Sequence, residues 1–281
     1  MKKLINIILI FICSSILFSC NKKSNDNEPF EILDYEYGVF LGASNDDIDY
    51  MKQFHIIVID AQYYTNSEIE ELKGNDNIVY SYINVGALED FRDYYDTYKD
   101  LKIKKYDDWP EEIWIDCGNE KWQNFIINEL SGSILSKGVD GLFVDNIDVY
   151  YFGDETKELY DGITLILEAL KKKTYVFINS GDTYIYKYLE NNNNLDLIID
   201  GVNQETVLTR INFNKKDTFY RSKEEDFKYF SKYCSVIKSY NKDVYLLEYS
   251  KNMDIVRDVD SFAKEKGYKY YVSKTLELLA V

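Results

Sequence analysis

The chain has 281 residues, of which 46% are hydrophobic and 16% aromatic, and its formal net charge is −16. This apolar content excludes a disordered chain, because its burial offsets the entropy cost of ordering. With 49 acidic and 33 basic side chains, the composition also excludes a protein that binds nucleic acid by neutralising phosphates. One His and four Cys are little material for a zinc site, and we expect no metal or other cofactor.

Residues 1–19 have the pattern of an export signal. Two lysines precede an apolar run at residues 4–18 that is too short to span a membrane as a helix. The letters LFSC at residues 17–20 resemble a bacterial lipobox, and we predict that Cys20 is acylated after cleavage. A plain signal peptide and an uncleaved anchor are the alternatives. The predicted product is exported and lipid-anchored to the bacterial cell envelope, with residues 20–36 as the acylated cysteine and a flexible polar tether.

After the tether, short apolar runs alternate with longer charged or amphipathic stretches. The apolar runs are continuous, which is typical of parallel strands that are covered on both faces. Several stretches between them have the spacing of amphipathic helices. The predicted strands are residues 37–41, 55–60, 78–83, 113–116, 141–145, 175–179, 195–200, 244–248 and 269–273. The predicted helices include residues 120–136, 155–172, 223–240 and 254–266.

Repeated strand–helix units over residues 37–281, with no linker between them, predict one α/β domain. The size fits a (β/α)8 TIM-type barrel, which has about 250 residues. Nine candidate strands are one too many, so the shortest, 113–116, either belongs to a long loop or is an extra strand that caps the barrel. A doubly wound open sheet is the alternative fold. Against it, no candidate strand runs into a GxGxxG or GK[ST] turn.

Polar residues stand where several of these apolar runs end. In a parallel barrel all the carboxyl ends of strands meet on one face. Carboxylates and amides that converge there, with no nucleophilic Ser or Cys motif, favour glycoside hydrolysis, which needs two carboxylates flanking the scissile bond. Helix capping, pairing with lysines and a calcium site are the alternatives, although no D-x-[DN]-x-[DN]-G loop occurs. The strand-end residues are Asp60, Asp145, Asn179, Asn203, Glu205 and Glu248.

Five motifs occur in a fixed order along the chain. They are IVYSYINVGALEDFR at residues 78–92, WID at 114–116, GVDGLFVDNIDVY at 138–150, NQE at 203–205 and LEY at 247–249. Together they resemble the endo-α-1,4-polygalactosaminidase family of glycoside hydrolases. The third is the most specific, because it is similar to the whole family pattern G-x-D-G-[hydrophobic]-x-x-D-N-x-D-x-Y.

The resemblance implies a (β/α)8 barrel and endo-hydrolysis of α-1,4-linked galactosamine and N-acetylgalactosamine polysaccharide. This polymer is partly deacetylated and therefore cationic. The resemblance also implies catalysis by Asp145 and Glu205, and we predict Asp145 as the nucleophile and Glu205 as the acid/base of a retaining mechanism. Carboxyl groups about 5–5.5 Å apart would indicate retention, and about 6.5–9.5 Å inversion. Gln204 replaces an acid that some relatives carry.

Further residues are predicted to bind substrate. Acids around the cleft would attract a cationic polymer, amides would bind hydroxyl groups or orient the nucleophile, and tyrosines would stack on sugar rings. Arg92, three residues after Glu89, is expected to hold that acid by a charge-assisted hydrogen bond. His55 is predicted to be structural. The full predicted set is Asp60, Tyr82, Glu89, Arg92, Asp116, Asn146, Asp148, Tyr150, Asn179, Asn203, Glu248 and Tyr249.

Two rival functions remain open from the sequence. One is a polysaccharide-binding lipoprotein that keeps the barrel and lacks turnover, although such a protein has no need of an acid/base pair. The other is a hydrolase of a different glycan. Cys117 and Cys234 remain after removal of the signal, and their spacing does not show whether they pair.

Overall fold

The computed structural model describes residues 36–74 and 76–281, so the predicted signal peptide, Cys20 and the tether up to residue 35 lie outside the described residues. Eight strands there form one sheet whose hydrogen-bonded neighbours are all parallel. Their order in the sheet follows the chain, and the first and last strands lie side by side. The sheet is therefore a nearly closed (β/α)8 barrel, as predicted. Its strands are β1 (Tyr37–Phe40), β2 (Ile56–Ile59), β3 (Ile78–Asn84), β4 (Gly141–Asp145), β5 (Tyr175–Asn179), β6 (Gly201–Glu205), β7 (Asp243–Tyr249) and β8 (Lys269–Ser273).

A small antiparallel sheet lies in the connection between β3 and β4 and accounts for the ninth predicted strand. Its strands, in sheet order, are Ala87–Glu89, Glu112–Ile115 and Lys102–Lys105. The predicted strand 113–116 therefore belongs to the long loop after β3. A second antiparallel pair, Thr209–Ile211 with Phe219–Arg221, forms a hairpin after β6.

The predicted strand at 195–200 is wrong, because this segment is a turn that precedes β6. The backbone N–H groups of Ile198 and Ile199 both donate to the carbonyl oxygen of Leu195, at 3.1 and 3.0 Å. All three side chains are fully buried, so the segment is apolar without being a strand. The strand itself, GVNQE, is polar because its Asn and Glu side chains face the barrel interior and its mouth.

The predicted helices are confirmed with small differences at their ends. The stretch 120–136 is helical as far as Leu135, with a wider π-helical turn in its middle. The α-helices are Ile48–Met51, Asn66–Leu72, Tyr95–Tyr98, Glu120–Asn124, Ser131–Leu135, Val149–Phe152, Lys157–Lys171, Asp182–Asn191, Glu224–Ser239 and Met253–Lys266, with 3-10 turns at Asn45–Asp47, Ala61–Tyr63 and Lys99–Leu101 and the π-helical turn at Phe125–Leu130. Within the described ranges, no helix is long and apolar enough to cross a membrane.

Aromatic side chains fill the barrel interior below the mouth. The ring of Phe177 lies 5.0 Å from each of the rings of Tyr80, Phe143 and Tyr245, measured between ring centres. Tyr37 contacts Tyr245 at 4.8 Å. These residues come from β1, β3, β4, β5 and β7, and Phe143 also lines the cavity above them. The barrel is therefore a packed core with an aromatic floor under its mouth.

Three residues considered in the sequence analysis lie away from this mouth. Cys117 and Cys234 are both buried and free, so they do not pair with each other. His55 is exposed and directly precedes β2, which places it at the opposite end of the barrel.

Candidate active site

A cavity of about 940 Å³ opens at the carboxyl ends of the barrel strands. Successive strands and the loops that follow them contribute its lining, as expected for the mouth of a parallel barrel. Ten of the predicted site residues line this cavity: Asp60, Tyr82, Glu89, Arg92, Asp145, Asn146, Asp148, Asn179, Glu205 and Tyr249.

Asn179 joins the two acids that the resemblance marks as catalytic. Its side-chain nitrogen Nδ2 donates to Oδ1 of Asp145 and to Oε2 of Glu205, each at 3.0 Å. These two oxygens are therefore no farther apart than twice that distance. Because the two hydrogens of an amide diverge by about 120°, the oxygens that accept them are about 5 Å apart. The structure thus brings together side chains from the ends of β4 and β6.

Buried polar residues orient this bridging amide. Nδ2 of Asn203 donates to Oδ1 of Asn179 at 2.7 Å, and the hydroxyl of Tyr37 donates to Oδ1 of Asn203 at 3.0 Å. Since Oδ1 of Asn179 is occupied by this bond, its Nδ2 faces the acids. A polar chain from inside the barrel therefore sets the orientation on which the spacing of the carboxylates depends.

The enclosed position raises the pKa of both bridged acids. The pKa of Asp145 is raised to about 6 by burial, against the hydrogen bond from Asn179, and the charge of Glu205 raises it further. Burial also raises the pKa of Glu205, while hydrogen bonds from Tyr249 and Asn179 lower it. The Tyr249 hydroxyl donates to Oε1 of Glu205 at 2.6 Å. Two close carboxyls with raised pKa values are suited to hold a single proton between them.

Glu112 is a further acid in the cavity lining, which the sequence analysis did not select. Its Oε2 accepts hydrogen bonds from the side-chain amides of Asn84 and Asn146, at 3.2 and 3.3 Å. Burial, followed by the charges of Glu89 and Asp145, raises its pKa to about 8. Its only sequence signal is its position two residues before the WID motif, in a segment that we assigned to a loop or an extra strand.

Arg92 lies buried between two acids at the side of the cavity. Its Nε and Nη2 donate to the two carboxylate oxygens of Glu89, at 3.0 and 2.8 Å, which is the expected charge-assisted contact. Its Nη1 lies 2.7 Å from Oδ2 of Asp60. The Tyr82 hydroxyl also donates to Glu89, at 3.1 Å. The guanidinium of Arg92 is therefore paired with two carboxylates, one from Glu89 and one from Asp60.

Two predicted substrate-binding residues on strands lie outside the cavity lining. Glu248 is fully buried, and it accepts hydrogen bonds from the backbone N–H groups of Leu208 and Thr209 at 2.8 and 2.9 Å. Its neighbours Leu247 and Tyr249 line the cavity, so the alternation of a strand places Glu248 on the outer face of the barrel. Asn203 lies on the inner face of the barrel, two residues before Glu205 on the same strand. It does not line the cavity, and its side chain holds that of Asn179 by a hydrogen bond.

Two predicted substrate-binding residues in the connections also lie outside the lining. Oδ1 of Asp116 accepts a hydrogen bond from the backbone of Gly118 at 2.9 Å, just before a helix begins. Tyr150 is 2% exposed, and its ring packs against Tyr160 and Tyr184. Sequence proximity to a strand end did not determine which way these side chains point.

Loops bring further residues into the lining that the sequence analysis did not select. Trp109, from the loop after β3, meets Phe213, from the hairpin after β6, at 5.9 Å between ring centres. These two strands lie on different sides of the barrel, so the contact spans part of the mouth. The residues in question include Tyr63, Phe91, Tyr106, Trp109, Asp182, Arg210 and Phe213.

The raised pKa values predict that stability falls as the pH rises. The pKa is raised to about 6 for Asp145, to about 7 for Glu248 and to about 8 for Glu112 and Asp148. Between about pH 4 and these values, the folded protein binds more protons than the unfolded chain, so the free energy of unfolding decreases with pH. We expect the melting temperature to fall from about pH 5 to about pH 8.

The variant Glu112→Gln isolates one contribution to this trend, because the glutamine is uncharged and retains an oxygen acceptor for the two asparagines. We expect its melting temperature to decline less than that of the wild type between about pH 5 and about pH 8, where the folded wild type still holds the Glu112 proton that the unfolded chain has lost. Glu111→Gln, at the exposed neighbouring position, is the matched control. An unchanged slope in Glu112→Gln would contradict the assignment of this residue.

Paired carboxylates at the mouth of a (β/α)8 barrel are the arrangement that barrel glycoside hydrolases use. The model of glycoside hydrolase family GH114 matches residues 19–278, and the chain belongs to this family. The protein is therefore a glycoside hydrolase, and the resemblance seen in the five ordered motifs is confirmed.

The chain is also similar to known proteins and solved structures. An uncharacterized protein of Methanocaldococcus jannaschii, MJ1477, is 28% identical in an alignment of 274 positions that covers 82% of this chain and 73% of that protein. The glycoside hydrolase domain of PelA from Pseudomonas aeruginosa has a TM-score of 0.73 at 16% identity, covering 86% of this chain and 95% of that domain. Ega3 from Aspergillus fumigatus, in complex with galactosamine, has a TM-score of 0.67 at 17% identity, covering 88% and 93%. Both structures have the fold described above.

Proposed function

We propose that this protein is an endo-acting hydrolase of α-1,4-linked galactosamine and N-acetylgalactosamine polysaccharide. The observation that carries the proposal is the Asn179 amide, which holds Asp145 and Glu205 together in an open cavity. Membership of family GH114 and the fold shared with Ega3, which binds galactosamine in its own structure, support the substrate class.

The spacing of the two acids supports a retaining mechanism, since about 5 Å is the separation found in retaining enzymes. In the first step Asp145 attacks the anomeric carbon, and Glu205 donates its proton to the glycosidic oxygen as that bond breaks. In the second step Glu205 takes a proton from water, and the water oxygen displaces Asp145 from the glycosyl-enzyme. Glu205 is then protonated again, and Asp145 is again an anion.

The electrostatic coupling of the pair supports a site in which one of the two acids is protonated while the other is ionised. The charge of Glu205 is one cause of the raised pKa of Asp145, so a proton on Glu205 removes that cause and favours ionised Asp145. A protonated Glu205 with an ionised Asp145 is the state that the first step requires. Tyr249 and Asn179 stabilise the anion that Glu205 becomes after it has donated its proton.

The charge of the cavity supports a cationic substrate. Acidic side chains in its lining outnumber basic ones, and one of the two basic side chains, Arg92, is already paired with Asp60 and Glu89. A cleft lined by one sign of charge raises the local concentration of oppositely charged ligands. The acidic lining residues are Asp60, Glu89, Glu111, Glu112, Asp145, Asp148, Asp182, Glu205 and Glu277.

Incubation with partly deacetylated α-1,4-linked galactosamine polymer tests the proposal. We expect new reducing ends, oligosaccharides of several lengths from the earliest time points, and an α-anomer as the first product by NMR. A β-anomer as first product would contradict the retaining mechanism. Tight binding without new reducing ends would identify a binding protein, and cleavage of only another glycan in a panel of α- and β-linked polymers would contradict the substrate.

We also propose that the protein is exported and held at the cell envelope by a lipid on Cys20, which the LFSC pattern supports. We expect Cys20→Ser to lose incorporation of a labelled fatty acid and to leave the membrane fraction. Cys13→Ser is the matched control, because residue 13 lies in the segment that cleavage removes. Equal labelling of Cys20→Ser and wild type would show that this cysteine is not acylated.

A further inference from the structure

Two large aromatic side chains at the cavity are mostly exposed to solvent. Tyr63 is 64% exposed and Phe91 is 56% exposed, and both belong to the cavity lining. Tyr63 follows β2, and Phe91 lies in the loop after β3. Single exposed rings are common on protein surfaces, but two of them in the lining of one cavity form an apolar patch of the kind that marks a binding surface.

Both rings lie beside the guanidinium of Arg92. Its guanidinium carbon lies 5.6 Å from the centre of the Tyr63 ring and 5.0 Å from that of Phe91, within the range of cation–π attraction. The guanidinium is itself held by Asp60 and Glu89. Because Arg92 is buried and paired with two acids, the two rings contact a side chain that is itself held in place.

Asp60 connects Arg92 to the backbone segment that carries Tyr63. Its Oδ2 pairs with Arg92, and its Oδ1 accepts a hydrogen bond from the backbone of Gln62 at 3.1 Å, at the start of the 3-10 turn Ala61–Tyr63. One carboxylate therefore orients both the cation and the turn. This arrangement pre-organises an exposed aromatic surface, which lowers the entropy cost of binding to it.

We propose that Tyr63 and Phe91 form a sugar-binding subsite, the aromatic subsite, that stacks on the apolar face of a pyranose ring of the polysaccharide. This rests on the proposed function in that the ligand is a polysaccharide bound in this cavity. Tyr63 follows β2 and Asp145 ends β4, and two strand spacings of about 4.8 Å place them about 10 Å apart along the rim. The stacked sugar is therefore not the sugar at which cleavage occurs.

A subsite away from the scissile bond affects long substrates more than short ones, because only a long chain reaches it. In the double variant Tyr63→Ala/Phe91→Ala we expect KM for the polymer to rise about tenfold relative to KM for the shortest oligosaccharide cleaved, which corresponds to about 1.4 kcal/mol. We expect Tyr63→Phe and Phe91→Tyr, which keep the rings, to restore the KM of the polymer. A structural defect would move both substrates together, and the conservative variants test this.

Tyr151→Ala is the matched control, because Tyr151 is 57% exposed and lies outside the cavity lining. The kinetics are measured on whichever glycan the substrate panel shows to be cleaved. If that glycan is not the galactosamine polymer, the proposed substrate is wrong, and the KM comparison still tests the subsite. Equal KM values of the double variant and wild type on long chains would overturn the aromatic subsite and leave the proposed function intact. If the wild type cleaves no glycan and Glu205→Gln binds none, both proposals fall.

Discussion

Replacing Asp145 by Asn is expected to reduce polysaccharide hydrolysis by about 100-fold or more, since an amide cannot attack the anomeric carbon. Asparagine has the shape of aspartate and retains an oxygen that accepts from Asn179, so the fold and the geometry of the site should persist. The measurement is the initial rate of release of reducing ends, with thermal melting to verify folding. Asp161→Asn, on the outer helix Lys157–Lys171, is the matched control.

A second experiment distinguishes the nucleophile from a residue that only supports it. Azide added to Asp145→Gly is expected to restore cleavage by occupying the place of the carboxylate. The product should be a β-glycosyl azide, because azide attacks once, from the face opposite to the leaving group. An Asp145→Asn variant that keeps more than about a tenth of wild-type activity would contradict the assigned role, since acid–base and nucleophilic groups contribute far more.

Replacing Glu205 by Gln is expected to affect substrates according to their leaving group. Loss of the proton donor should slow polysaccharide hydrolysis by about 100-fold or more. An activated aryl glycoside needs no protonation of its leaving oxygen, so its first step should be retained and release a burst of phenol. The second step should then be slow, because no base activates water. Rapid-mixing measurements of phenol release test this sequence of steps.

Glu265→Gln, at an exposed position on the helix Met253–Lys266, is the matched control for this variant. Equal losses on the polysaccharide and on the aryl glycoside would indicate that Glu205 does not act as the acid. Combined with azide rescue of a Glu205→Gly variant that yields a β-glycosyl azide, such a result would exchange the two roles. Rescue that yields an α-glycosyl azide agrees with the roles proposed above, because the azide then displaces Asp145.

The environment that favours this chemistry also costs stability. Asp145, Glu112 and Asp148 share a cavity in which burial, and then the charges of neighbouring acids, raise their pKa values. Each group is therefore harder to ionise in the folded protein than in the unfolded chain, which is the origin of the expected pH dependence. Perturbed acids of this kind concentrate where a protein performs proton transfer.

Much of the barrel was predictable because its strands are buried on both faces. Continuous apolar runs such as those of β4 and β5 are typical of strands in a parallel sheet that is covered on both faces, and their bounds agree with the prediction. The run at 195–200 is the exception, since it is a buried turn that precedes β6. Hydrophobic composition reports burial, and burial alone does not distinguish a strand from a packed turn.

The residues of the candidate site were likewise predictable only in part. Asp145, Asn179 and Glu205 were selected because each stands at or after the end of an apolar run, and the barrel brings all three together. Glu248 was selected on the same ground, yet the register of β7 turns it outward, towards Thr209. A shift of one position on a strand exchanges the inner and outer faces, and a continuous apolar run does not reveal which face is which.

The amino-acid sequence by itself determined the fold class, the family and the positions of the two acids, because local burial patterns and ordered motifs carry that information. Only the tertiary structure decided that Asn179 bridges the two acids and that Glu112 lines the same cavity. It also decided that Tyr63 and Phe91 are exposed beside Arg92. These features depend on barrel closure and on loops that cross its mouth. Contacts of that kind join residues that are distant in the chain, so no local pattern records them.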